Sequence, residues 1–146
     1  MVKGMGEGCK FSLLSLFAKT GASPAQPQRS VGGNGEDIAA AFLRDLGYVI
    51  LTRNFRKRFG EIDIIAEEGD TLVFVEVKTR SSAAFGSPLE AVDARKQRRM
   101  ARAALAYLGS RKLHDRPARF DVVAVHLQPR EKPRIEHVRN AFDLEY

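Results

Sequence analysis

Two strand-like apolar runs, residues 61–67 and 72–80, flank the turn Glu68-Gly69-Asp70-Thr71. This pattern predicts an antiparallel hairpin with Gly69 and Asp70 in its loop. Upstream, Asn34 is placed to cap a helix with Glu36 and Asp37 in its first turn and Gly47 as its stop. Its apolar stripe is Ile38, Phe42 and Leu46, with Leu43 beside it. Residues 48–54 then read as a first strand. Downstream, Ser87-Pro88-Leu89-Glu90 has the form of a capping box with proline at the first helical position. It opens a helix expected to reach Leu108 and stop at Gly109. A strong strand follows over residues 119–127 and a weaker one over 134–138. The order is helix, three-strand meander, helix, strand, so the second helix is a crossover that sets the fourth strand parallel to one of the first three.

The hairpin carries the chemistry. With a two-residue loop Asp63 falls opposite Glu76, and period-two alternation puts Glu76, Lys78, Asp63 and Glu61 on one face unless a bulge intervenes. Carboxylates ~5 Å apart in a partly buried site repel by about 3 kcal/mol at an effective dielectric constant of 20. A hard divalent cation, bound by one or two carboxylates with water and phosphate completing its shell, removes that repulsion. On an exposed hairpin, Glu76 and Lys78 would instead make an ordinary ion pair worth about 0 to 1 kcal/mol. Val73, Val75 and Val77 make the other face apolar, and Leu72 and Phe74 precede the charges on their own face. That is the pattern of a strand buried on both sides, with charges at its end.

Asp63 followed by Glu76-Val77-Lys78 resembles the Asp…(Asp/Glu)-x-Lys signature of the PD-(D/E)XK nuclease superfamily, which includes restriction enzymes and archaeal Holliday-junction resolvases. A denser likeness is to the YraN-like family of predicted bacterial endonucleases. It is carried by Gly35-Glu36, Asn54-Phe55-Arg56, Gly60-Glu61-Ile62-Asp63, Phe74-Val75-Glu76-Val77-Lys78-Thr79-Arg80, Phe85-Gly86 and Arg119-Phe120-Asp121-Val122-Val123, and it covers residues 31–126. Ile62 departs from the superfamily pattern by standing where its name expects proline. The resemblance implies an α/β fold, a restriction endonuclease-like αβββαβ core with a mixed sheet flanked by helices. It also implies a glutamate on the first helix near the metal, here Glu36, and a phosphate contact from Lys96 or Gln97 on the second helix.

The chain is 146 residues long with 44% hydrophobic residues, which fits one domain with a sizeable core. The first thirty residues differ from the rest: Lys3 and Lys10 flank a short apolar stretch, and residues 20–30 are rich in Gly, Ala, Pro, Gln and Ser. The stretch contains Ser12 and Ser15, is followed by Lys19 and lacks a clear Ala-x-Ala site, so the expectation is a mobile extension over 1–30 and a nuclease-like domain over 31–146. Cys9 is the only cysteine, which excludes an intrachain disulfide and suits the reducing cytoplasm. His114, His126 and His137 lack zinc-ligand spacing and read as structural or surface residues.

The net charge of +6 favours a polyanionic partner. Residues 95–119 hold nine Lys or Arg against one acid, and Arg53, Arg56, Lys57 and Arg58 interleave with Phe55 and Phe59 just before Asp63. Two basic clusters flanking one acidic patch point to phosphate contacts through Arg53, Arg56, Lys57, Arg58, Arg80, Lys96, Gln97, Arg98, Arg99 and Arg102. The expected partner is nucleic acid, DNA ahead of RNA, with no membrane partner; a homodimer is compatible with the sequence. The expected activity is phosphodiester hydrolysis with Mg²⁺ or Mn²⁺ held by Asp63, Glu76 and the Val77 carbonyl, with Glu36 reaching the ion through water or helping a second one. Lys78 would orient the attacking water or stabilise the transition state, and Glu61 is a further candidate on the same face. The alternatives are a nucleic-acid-binding module that keeps the nuclease fold with little or no turnover, and an adaptor whose basic face binds protein.

Overall fold

The computed structural model describes residues 31–81 and 87–143. The extension 1–30 and Phe85-Gly86 lie outside the described residues. The element order is α1 (Val31–Asp45), β1 (Val49–Lys57), β2 (Gly60–Glu68), β3 (Thr71–Arg80), a 3-10 turn (Pro88–Ala91), α2 (Ala94–Arg111), β4 (Ala118–His126) and β5 (Arg134–Phe142). The five strands form one mixed sheet in the order β1-β2-β3-β4-β5, antiparallel except for the β3–β4 pair. The fold is therefore α/β, a mixed sheet flanked by helices as expected of a restriction endonuclease-like core. No helix among the described residues is long and apolar enough to cross a membrane.

Alternation along β3 divides the core between the two faces. Leu72 and Phe74 pack with Met100, Ala103, Ala104 and Tyr107 of α2, while Val73 and Val75 pack with Ala39, Ala40 and Leu43 of α1. The central strand is apolar on both faces because each is covered by a helix.

Two glycines fix how closely those helices approach. A Cβ on Gly35 would lie 1.8 Å from Thr79 Oγ1, and one on Gly60 would lie 2.1 Å from the Arg99 carbonyl oxygen. The first contact seats α1 on β3 beside Glu36. The second seats the start of β2 on α2 beside Glu61. Both are close approaches that only glycine permits.

Helix boundaries depart from expectation in instructive ways. The first helix begins at Val31, so Asn34 is a helical residue and not a cap, and Glu36 and Asp37 fall beyond the first turn. Their charges are met by β1: Arg53 lies 2.8 Å from Asp37 and Asn54 Nδ2 donates to Glu36 at 3.1 Å. The buried stripe is Ala39, Ala40 and Leu43, with Ile38 and Phe42 flanking it and Leu46 53% exposed. Tight seating at Gly35 turns Ala39 and Ala40 onto the sheet together with Leu43 and leaves Leu46 outside. The capping box at Ser87 forms only the 3-10 turn, with the Glu90 N–H bonded to the Ser87 carbonyl at 3.1 Å. The cap of α2 is Asp93, whose carboxylate accepts from the Lys96 N–H at 2.8 Å. The helix also passes Gly109 and ends at Lys112, a left-handed residue with φ 56°. Leu113 follows it into the core cluster, the hydrophobic contact that commonly closes such an end.

Gly47 does stop α1, with φ +91° and its N–H on the Arg44 carbonyl. The first strand runs on to Lys57, past Asn54, which sits in the left-handed region with φ 54°. The last strand extends to Phe142, whose ring stacks on Phe120 with centroids 4.6 Å apart.

Candidate active site

Asp63 and Glu76 arrive by the hairpin that the sequence predicts. Its loop is Gly69-Asp70, with Gly69 at φ +57°, and its ladder runs from Glu68↔Thr71 to Ile64↔Val75. The ladder stops one pair short of Asp63 and Glu76. Ile62 and Ile65, three residues apart, both join the α2-side cluster, so strict alternation along β2 slips between them. This is the bulge-like exception to the parity rule. Convergence survives it, because the freed Val77 N–H donates to Asp63 Oδ2 at 2.8 Å.

Glu76 is only 3% exposed. The Lys78 ammonium lies 3.1 Å from its Oε1, and the Lys96 ammonium lies 3.2 Å from its Oε2. Oε2 is buried and makes no hydrogen bond, its contact with Lys96 being ionic but poorly directed. Asp63 is half-buried. Burial first, and then the Glu76 charge, push its carboxyl up to about 7 against the Val77 N–H and Lys96, and Glu36 adds to the rise. Two carboxylates of this kind, one with an undersatisfied oxygen, are a donor set that a hard cation fits.

The raised Asp63 pKa fixes the sign of a pH effect. A group titrating higher in the folded than in the unfolded chain contributes stability that is full below its ordinary value, 3.8, and lost as pH rises through about 7. In metal-free protein Asp63→Asn should therefore melt higher than the wild type at pH 8 and close to it at pH 4. Thermal unfolding in a chelator at both pH values checks this.

The other expected residues fall into four groups. Lys96 is drawn into the site itself, in the first turn of α2, and also lies 3.5 Å from Glu61. Glu36 stands at the rim, held by Asn54 and 3.8 Å from Arg53. Among the described residues no three His, Cys, Asp or Glu side chains are gathered closely enough to hold an ion. Arg53 is committed to Asp37, and Gln97 Nε2 donates to the Val92 carbonyl at 2.9 Å, so both brace local structure.

Arg56, Lys57, Arg58, Arg98, Arg99 and Arg102 are exposed. The Gly60–Arg99 contact brings the β1–β2 turn with Lys57 and Arg58 beside the stretch of α2 that carries Arg98, Arg99 and Arg102. Arg56 also lies 3.6 Å from Glu61, and Arg80 ends β3, its carbonyl accepting from the Leu127 N–H at 2.7 Å.

Two residues that carry the family resemblance have roles that the sequence does not assign. Asn54 positions Glu36, and its signal was an asparagine inside a strand, a residue type that tolerates the left-handed region. Asp121 is fully buried on β4 and binds Arg119 Nε at 3.0 Å, His137 Nε2 at 2.9 Å and the Asn140 N–H at 3.0 Å. Its signal was a lone acid within an apolar strand. The structural reading of His137 is borne out by this bond.

The chain matches the model of Uncharacterised protein family UPF0102 over residues 35–125. It is 53% identical over 116 residues to a UPF0102 protein of Geobacter sulfurreducens, covering 80% of this chain and 91% of the relative. A UPF0102 protein of Rhodococcus opacus is 50% identical over 113 residues, covering 77% and 96%. The matched span contains every acid and lysine of the site.

Proposed function

The chain belongs to Uncharacterised protein family UPF0102, and from the chemistry of its site we propose that it is a metal-dependent nuclease that hydrolyses phosphodiester bonds in nucleic acid, structured or branched DNA first, in the cytoplasm. One observation carries this reading: the buried Glu76 presents an oxygen without a hydrogen bond beside Asp63, whose own charge it disfavours. Lys78 and Lys96 offset that repulsion only in part, since the Asp63 carboxyl is still pushed up to about 7, and a divalent ion would relieve the rest.

Asp63 and Glu76 would hold Mg²⁺ or Mn²⁺, with the Val77 carbonyl and water completing the shell and Glu36 contributing through water. When bound, the ion supplies Lewis-acid activation of the phosphate and a more acidic water. Lys78, fixed on Glu76, keeps a cation next to the scissile group, where it offsets charge that develops on the phosphate oxygens. The exposed arginines of α2 and the β1–β2 turn supply backbone contacts, which orient a nucleic acid without reading its sequence.

The test is incubation of the intact protein with branched, single-stranded and duplex DNA and RNA in Mg²⁺ or Mn²⁺. Cleavage of at least one substrate is expected, lost on chelation. Thermal unfolding gives a substrate-free readout: an ion at 100 times its dissociation constant should stabilise the fold by ~2.7 kcal/mol. The second reading, a binding module with the nuclease fold, is favoured by the Lys96 ammonium already seated on Glu76. It predicts nucleic-acid binding with no cleavage and no shift by the ion.

A further inference from the structure

Glu76 carries two ammonium groups, one on each oxygen, and they are not equivalent. Lys78 lies on the same strand two residues away, and Glu76 is its ion-pair partner among the described residues. Lys96 comes from the opposite element, α2, and is shared between Glu76 Oε2 and Glu61 Oε1 at 3.2 and 3.5 Å. The Lys96 ammonium, seated between the Glu76 and Glu61 carboxylates, is charged at neutral pH. Its backbone is pinned, because its N–H caps onto Asp93 and Gln97 braces the same turn. Any rearrangement is confined to the long side chain.

An ammonium and a divalent ion compete for the same carboxylate oxygen, since like charges at contact distance repel. Resting on the metal reading given above, we propose that Lys96 is the resident counter-ion of the acid pair, and that it leaves Glu76 Oε2 for Glu61 when a divalent ion binds. Glu61 suits the role of second berth. Its side chain is 44% exposed, it already touches Lys96, and Arg56 at 3.6 Å holds it from the solvent side. Lys96 is thus a positioning residue that keeps the buried carboxylate paired until the ion arrives and sets a threshold for ion occupancy.

Lys96→Met separates this role from a merely structural one. Titration calorimetry of the intact chain with Mn²⁺ should give a dissociation constant about tenfold lower in the variant than in the wild type, the size of a typical coupling between two sites. The melting shift on Mn²⁺ addition should also be larger in the variant, whose metal-free form leaves Glu76 less well paired. Equal or weaker Mn²⁺ affinity in a folded Lys96→Met protein would overturn the proposal while leaving the metal reading intact. Should the variant not fold, the wild type decides: amine labelling read by peptide mass spectrometry should modify Lys96 several-fold faster in saturating Mn²⁺ than in chelator. Labelling of Lys96 that does not respond to Mn²⁺ would overturn it equally. Absence of Mn²⁺ binding in both proteins would remove the metal reading and this inference with it.

Discussion

Asp63→Ala is expected to lose divalent-ion-dependent cleavage by at least about a hundredfold, since Lewis-acid stabilisation by a bound ion is worth several kcal/mol of barrier. The same change removes a negative charge facing the phosphate, so binding of nucleic acid in chelator should be preserved or slightly tightened. Lys78→Ala should lose cleavage by about 10²–10³, the usual effect of deleting one group that stabilises transition-state charge, while still binding Mn²⁺. The two variants differ in a way that a general loss of fold cannot mimic. Gel-based cleavage, Mn²⁺ calorimetry and a binding assay without metal, run together, separate the roles. Cleavage that survives Asp63→Ala would remove that residue from the catalytic machinery.

The largest stability loss is expected far from that chemistry, at Asp121. Its carboxylate is fully buried and accepts bonds from Arg119, His137 and the Asn140 N–H. Arg119 is itself tied to the Tyr48 hydroxyl at 2.9 Å and to Glu68 at 2.7 Å. Asp121→Ala takes one of two carboxylate partners from Arg119, which keeps Glu68, and leaves the His137 and Asn140 donors unpaired, and breaking a buried network in this way costs about 3–5 kcal/mol. A domain of this size has about 5–15 kcal/mol in total, so the variant should unfold at much lower urea. Asp121→Asn keeps an acceptor and should lose less. Arg139→Ala, which removes an exposed pair with Glu68, should change stability by no more than about 1 kcal/mol.

The pH dependence has the opposite sign to that at Asp63. Burial opposes the Asp121 carboxylate, but the bonds from His137, Arg119 and Asn140 outweigh it and hold its pKa below 3.8. Its contribution is present above 3.8 and lost as pH falls through the lower folded value. The difference between the wild type and Asp121→Ala should therefore shrink only under strongly acid conditions. A gap that closed already at pH 6 would contradict the assignment of the effect to this carboxylate.

By itself the sequence determined the hairpin, its Gly69-Asp70 loop, the parallel crossover to β4 and the meeting of Asp63 with Glu76. These follow from local rules: a turn residue that tolerates positive φ, apolar runs of strand length, and a helix too long to be a hairpin connection. It also marked Gly35-Glu36 and Gly60-Glu61 through family resemblance, without the reason. Only the tertiary structure supplies that reason, because a missing Cβ matters only where another backbone or a stiff side chain comes within contact distance, here Arg99 and Thr79. The same limit explains the helix boundaries. Asn34, the Ser87 box and Gly109 are competent local signals, but Asp93 and Lys112 are the ends of α2, where Gly60 seats the helix against β2 and Leu113 packs on the core. The left-handed Asn54, bonded to Glu36 of α1, and the slip between Ile62 and Ile65, both packed toward α2, likewise involve partners distant in sequence. Lys96 shows the division most sharply. Along the chain its charge is one of a basic run, whereas its place on Glu76 depends on three elements meeting at one end of the sheet, which no spacing along a single strand encodes.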